Sequence, residues 1–190
     1  MPFNLPIVLT WLRVALIPVF VGVFYLPQSE YPLPWQNLVG TLLFALAAVT
    51  DWFDGFLARR WNQTSQFGAF LDPVADKLMV AAALILLVDL HRAPTWLAVI
   101  IIGREITISA LREWMAQLGQ AKSVAVSMIG KLKTTAQMLA ILLLLWWDPV
   151  FKGLSTPLAG EIALYIAGVL TIASMFYYLR VAAEQFSKAR

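Results

Sequence analysis

DWFDGFLARRWNQTSQFGAFLDPVAD, running from Asp51 to Asp76, carries four aspartates in two pairs, Asp51 with Asp54 and Asp72 with Asp76. Long apolar segments flank it on both sides. A carboxylate at membrane depth costs roughly 2.5–3.5 kcal/mol on insertion scales, so such residues are rare there and usually functional. At 3.6 residues per turn, Asp51 and Asp54 fall about 60° apart on a helix, and Asp72 and Asp76 about 40° apart. Each pair can therefore point at one spot. Four carboxylates on two neighbouring segments need a shared counter-charge, and hard oxygen donors suit Mg2+, Mn2+ or Ca2+. Gly55 and Ala58 continue the first pair's face one turn on, which leaves room for a ligand or a close helix contact. Between the pairs lie Arg59 and Arg60, placed to hold anionic groups together with metals. Helix caps and interfacial aspartates are the bland alternative.

Outward from this stretch the chain is apolar. Its 190 residues are 61% hydrophobic and only 13% charged, well beyond the balance of a soluble domain. The expected class is an all-α integral membrane protein, with residues 1–190 as a single membrane domain. Cysteine is absent, so thiolate and disulfide chemistry are excluded. The abundant tryptophans and tyrosines suit membrane interfaces. The N-terminus has no basic region or small-residue cleavage site, so no removable signal peptide is expected. No nucleic-acid partner is expected.

Six transmembrane helices and a short N-terminal interfacial helix are expected. Residues 3–12 form the interfacial segment and the first span continues to Leu26. Asn4 caps this start, and Thr10 and Arg13 share a face. Arg13 either snorkels to the headgroups or borders the substrate site. The proline-rich residues 27–37 read as a loop. The second span runs from Leu38 to about Arg60 and the third from Gly68 to Leu90, so both aspartate pairs sit at similar depth on one side. His91 reads as an exposed loop residue. The fourth span, from Thr95 to about Gln117, contains Arg104 and Glu105, deep enough to need partners. Arg104 and Arg112 share a face over two turns. Residues 117–131 read as a polar connector. The fifth span runs from about Val126 to Trp147, with Lys131 and Lys133 near its start, and the sixth from about Leu158 to Leu179. Lysine and arginine concentrate in the connections on the aspartate side, which places both termini and the site in the cytoplasm.

The pattern Asp51-x2-Asp54-Gly55-x2-Ala58-Arg59-x8-Gly68-x3-Asp72-x3-Asp76 resembles the signature of the CDP-alcohol phosphatidyltransferases. Eight fixed residues at fixed spacing argue strongly against a set of caps. The resemblance implies that Asp51, Asp54 and Asp72 chiefly ligate metal, two Mg2+ or Mn2+ ions. It makes Asp76 the catalytic base, touching the second ion. Gly55, Ala58, Arg59 and Gly68 then match positions near the CDP group. The implied reaction is attack of an alcohol oxygen on the phosphorus that carries diacylglycerol in CDP-diacylglycerol, with CMP leaving. Two metals between carboxylates suit such phosphoryl chemistry.

Arg104, Arg112, Lys131 and Lys133 are more cations than a neutral acceptor needs, and a phosphorylated acceptor fits them. Anchoring by snorkelling side chains is the alternative. The stretches NLPxxLTxxR from Asn4 to Arg13, REITISALREW, and GKLKTTAQ from Gly130 to Gln137 resemble bacterial family members whose acceptor is sn-glycerol 3-phosphate. The resemblance also implies a homodimer in the bacterial inner membrane. Inositol, inositol phosphate or serine are alternative acceptors. A cation transporter would need acidic residues in both membrane halves, and a structural subunit would leave four carboxylates unexplained.

Overall fold

The described residues form six α-helices: α1 (Leu5–Val23), α2 (Leu33–Trp61), α3 (Gln66–Asp89), α4 (Thr95–Gln117), α5 (Met128–Trp146) and α6 (Thr156–Lys188). The computed structural model describes residues 5–61, 66–119, 128–149 and 155–188, with side chains over 8–50, 71–119, 128–149 and 155–184. No strand occurs among them. α3 packs against α1, α2, α4 and α5, while α6 packs on α4 and α5.

No separate interfacial helix occurs among the described residues of the expected segment 3–12. α1 is continuous from Leu5 to Val23, because nothing between Pro6 and Pro18 breaks it. Pro6 sits in the first turn, where a missing N–H costs nothing. α2 starts at Leu33, inside the expected loop, since Pro34 likewise falls in a first turn. The Gln36 side-chain amide donates to the Leu26 carbonyl at 3.0 Å and closes the turn between α1 and α2. α6 runs well past Leu179, and the Arg180–Glu184 pair at 3.1 Å supports the added turns.

The core is built from Phe20, Phe44, Met79, Leu84, Leu87, Ile101, Ile141 and Leu144, drawn from five helices. The outer faces are apolar as well, with Leu42, Ile85, Val99, Leu139, Val169 and Phe176 exposed. Helices apolar on both sides belong in lipid. By length and composition, Leu33–Thr50, Met128–Trp146 and Thr156–Glu184 are able to cross a membrane. Ionisable residues interrupt the apolar windows of α3 and α4. Small residues let the helices approach closely: a Cβ on Gly40 would overlap the Phe24 ring, and one on Gly168 would overlap Leu97.

The end of the bundle remote from the aspartates is fastened by Arg92. His91, exposed and with φ 58°, turns the chain out of α3, so that the Arg92 N–H reaches the Leu87 carbonyl at 2.8 Å. The Arg92 guanidinium is buried. It donates to the Leu144 and Leu145 carbonyls at 3.0 and 3.1 Å and to Asn37 Oδ1 at 2.8 Å. Its Cζ lies 4.6 Å from the Trp147 ring centre. Burial lowers its pKa to about 10, partly offset by Asp148, so it stays charged at neutral pH. One side chain thus ties α2 and α5 to the α3–α4 turn and holds their ends level.

Candidate active site

Asp51, Asp54, Gly55, Ala58 and Arg59 lie in the C-terminal part of α2, and Gly68 in the first turn of α3. Their side chains, and Asn4 altogether, fall outside the described residues. Asp72 and Asp76 follow one and two turns after Gly68 on α3. Asp72 is half-buried and accepts a hydrogen bond from Thr10 Oγ1 on α1 at 2.5 Å. Asp76 is exposed and borders a small cavity of about 10 Å³ with Arg13, Phe44, Ala47, Met79 and Met138. Arg13 is only 1% exposed, so it does not snorkel to the headgroups. It faces the site instead.

Among the described residues no group of three acidic or histidine side chains is arranged to hold a metal. The two described aspartates fit one nonetheless. Both offer hard oxygen donors, and Thr10 fixes one oxygen of Asp72, as a hydrogen-bonding partner orients a metal ligand.

A basic cluster sits beside α3. Asp76 and Lys133 each lie thirteen residues, about 20 Å, from the far ends of α3 and α5, and Arg92 keeps those ends level. Lys133 is 1% exposed and pairs with Glu105 of α4. Asp76 also attracts it electrostatically. Arg104 Nη1 reaches the same Glu105 oxygen at 3.4 Å, and Nη2 donates to Ser174 Oγ of α6 at 3.0 Å. Arg112 Nη2 donates to the Tyr178 hydroxyl at 2.9 Å. Arg104, Arg112 and Lys133 thus converge; Arg104 and Lys133 are buried and Arg112 is half-buried, unlike cations that merely anchor in the headgroups. Lys131 is exposed about 160° round α5 from Lys133 and is not drawn in.

Residues 3–175 match the family model described as CDP-alcohol phosphatidyltransferase. The chain belongs to the CDP-alcohol phosphatidyltransferase family. It is 57% identical over 186 residues to the CDP-diacylglycerol–glycerol-3-phosphate 3-phosphatidyltransferase of Pectobacterium atrosepticum, covering 96% of each chain. The protein of that name from Sodalis glossinidius is also 57% identical over 96% of each chain. The one from Escherichia coli K12 is 54% identical over 185 residues, again 96% of each. These phosphatidyltransferases therefore align with this chain through every helix described above.

Sequence reasoning about this family member missed the part played by α6. Thr171, Ser174 and Tyr178 are spaced by three and four residues, so the helical period aligned them on one face. That signal was present. It was masked because a tyrosine near a span end reads as an interfacial anchor. All three are buried.

Proposed function

We propose that this protein transfers the phosphatidyl group of CDP-diacylglycerol to sn-glycerol 3-phosphate, forming phosphatidylglycerophosphate and releasing CMP. The observation that carries this reading is the near full-length identity to relatives named for that reaction. The geometry supports it: aspartates suited to a phosphoryl centre stand beside buried and half-buried cations suited to a phosphorylated acceptor.

Asp51, Asp54 and Asp72, with Asp76 at the edge, would hold two Mg2+ or Mn2+ ions. When bound, these ions neutralise phosphate charge and polarise the phosphorus for attack. The chain's own residues do the rest. Thr10 keeps the Asp72 carboxylate oriented. Gly55, Ala58 and Gly68 allow the CDP group to approach the backbone, and Arg59 offers a cation to its diphosphate. Arg104, Arg112 and Lys133 hold the acceptor's phosphate; Lys131, being exposed, guides it at most. Asp76 takes the proton from the acceptor hydroxyl. That oxygen forms a bond to the phosphorus bearing diacylglycerol, while the bond to the CMP oxygen breaks and CMP leaves with the electron pair. A single displacement suffices.

The one membrane domain then crosses the bacterial inner membrane six times, with α3 and α4 spanning because their charges are paired or turned to the site. Both termini and the site face the cytoplasm, and the working form is a homodimer. The test supplies membranes with CDP-diacylglycerol, Mg2+ or Mn2+, and each labelled alcohol, and measures CMP release. Release that depends on sn-glycerol 3-phosphate, and is lost in Asp72→Asn and Asp76→Asn, is expected. Release that depends on inositol, inositol phosphate or serine instead would overturn the acceptor.

A further inference from the structure

Tyr178 is completely buried on α6, three residues beyond the stretch that the family model matches. Two arginines of α4 lean on it. Its ring centre lies 4.9 Å from the Arg112 guanidinium carbon and 5.6 Å from that of Arg104. Its hydroxyl also accepts from Arg112 Nη2 at 2.9 Å. One turn earlier, Ser174 Oγ accepts from Arg104 Nη2 at 3.0 Å and itself donates to the Thr171 carbonyl at 2.9 Å. The arginines are eight residues apart, so α4 alone stacks them along one face and α6 fixes where each fork points.

Two guanidinium groups on one aromatic ring repel each other. The ring face offsets part of that repulsion, and Glu105 engages Arg104 but is shared with Lys133. The Nε atoms of Arg104 and Arg112 are both buried and have no hydrogen-bond partner among the described residues. A buried donor without an acceptor is costly. An anion with several oxygens would satisfy both donors and quench the repulsion.

We infer that Tyr178 is the positioning residue of the acceptor site, holding Arg104 and Arg112 so that their open Nε–H groups receive the phosphate of the acceptor alcohol. This rests on the acceptor reading above. Tyr178 acts through the arginines and touches neither substrate. Its effect therefore falls on acceptor affinity and not on the chemical step.

The experiment is steady-state kinetics on the full chain in mixed micelles, varying each substrate in turn. Tyr178→Phe keeps the ring and removes the bond to Arg112. It is expected to raise the KM for sn-glycerol 3-phosphate about three- to tenfold, with kcat and the KM for CDP-diacylglycerol within about twofold of wild type. Adding Tyr178→Phe to Arg112→Ala should raise that KM no further than Arg112→Ala alone, because the two act as one unit. An unchanged acceptor KM in Tyr178→Phe, or equal changes in both KM values, overturns the positioning role. Additive effects in the double variant overturn it too. If Arg112→Ala itself leaves the acceptor KM at wild type, the acceptor reading fails, whatever Tyr178→Phe does.

Discussion

Replacing Arg92 with alanine should loosen the bundle without touching its chemistry. The substitution leaves the Leu144 and Leu145 carbonyls and Asn37 Oδ1 without their donor. Both carbonyls belong to the last turn of α5, where the helix supplies no partner. Each buried oxygen left unpaired costs about 1–3 kcal/mol. The open cavity lined by Arg92, Asp89, Glu161 and Tyr165 admits water, which recovers part of this. A net loss of about 3–5 kcal/mol is expected. For a chain of this size that lowers the melting temperature by roughly 6–20 °C. Arg92→Lys keeps a charge but not the fork, so it should recover less than half of the loss. The assay is thermal unfolding in detergent, with CMP release measured well below the transition. Turnover there should persist, because Asp76 is about 20 Å away along α3. A melting temperature within about 2 °C of wild type would refute the reasoning. So would lost turnover in a variant of unchanged stability, which would make Arg92 part of the function.

Three further outcomes are expected. Thr10→Ala releases one oxygen of Asp72 and should weaken apparent metal affinity about 10- to 100-fold; a Mg2+ titration of CMP release superimposable on wild type would remove that role. Glu105→Ala strips Lys133 of its partner at a position 1% exposed and should cost about 3–5 kcal/mol, read as a lower unfolding temperature; an unshifted transition would mean that another group neutralises the lysine. Gly40→Ala drives a methyl into the Phe24 ring and should cost about 1–3 kcal/mol. A second change, Phe24→Ala, should relieve that clash, and additive losses would argue against the contact.

Local signals carried the helices where breakers were clear. Pro94 and Gly119 bracket α4, and its expected limits, Thr95 and Gln117, are the observed ones. They misled where polarity was taken for an ending. Thr10 and Arg13 suggested an interfacial segment, yet both are buried inside one continuous α1. Polar residues after Leu179 suggested a tail, yet i,i+4 pairing carries α6 onward. The paired spacing of Asp72 and Asp76 was readable because it depends on helix pitch alone. The Thr10–Asp72 bond was not, since it joins residues 62 apart whose meeting depends on the packing of α1 on α3. For the same reason nothing local marks Arg92, next to the exposed His91, as buried: three acceptors from two other helices hold it inside.

The bond between Thr10 and Asp72 also bears on how the molecule is born. The first helix is made before the third, so for that interval the threonine waits without its carboxylate. A chain halted after two helices carries Asp51 and Asp54 but neither Asp72 nor Asp76. The fastening of Asp72 therefore arrives late, only when the third helix packs beside the first.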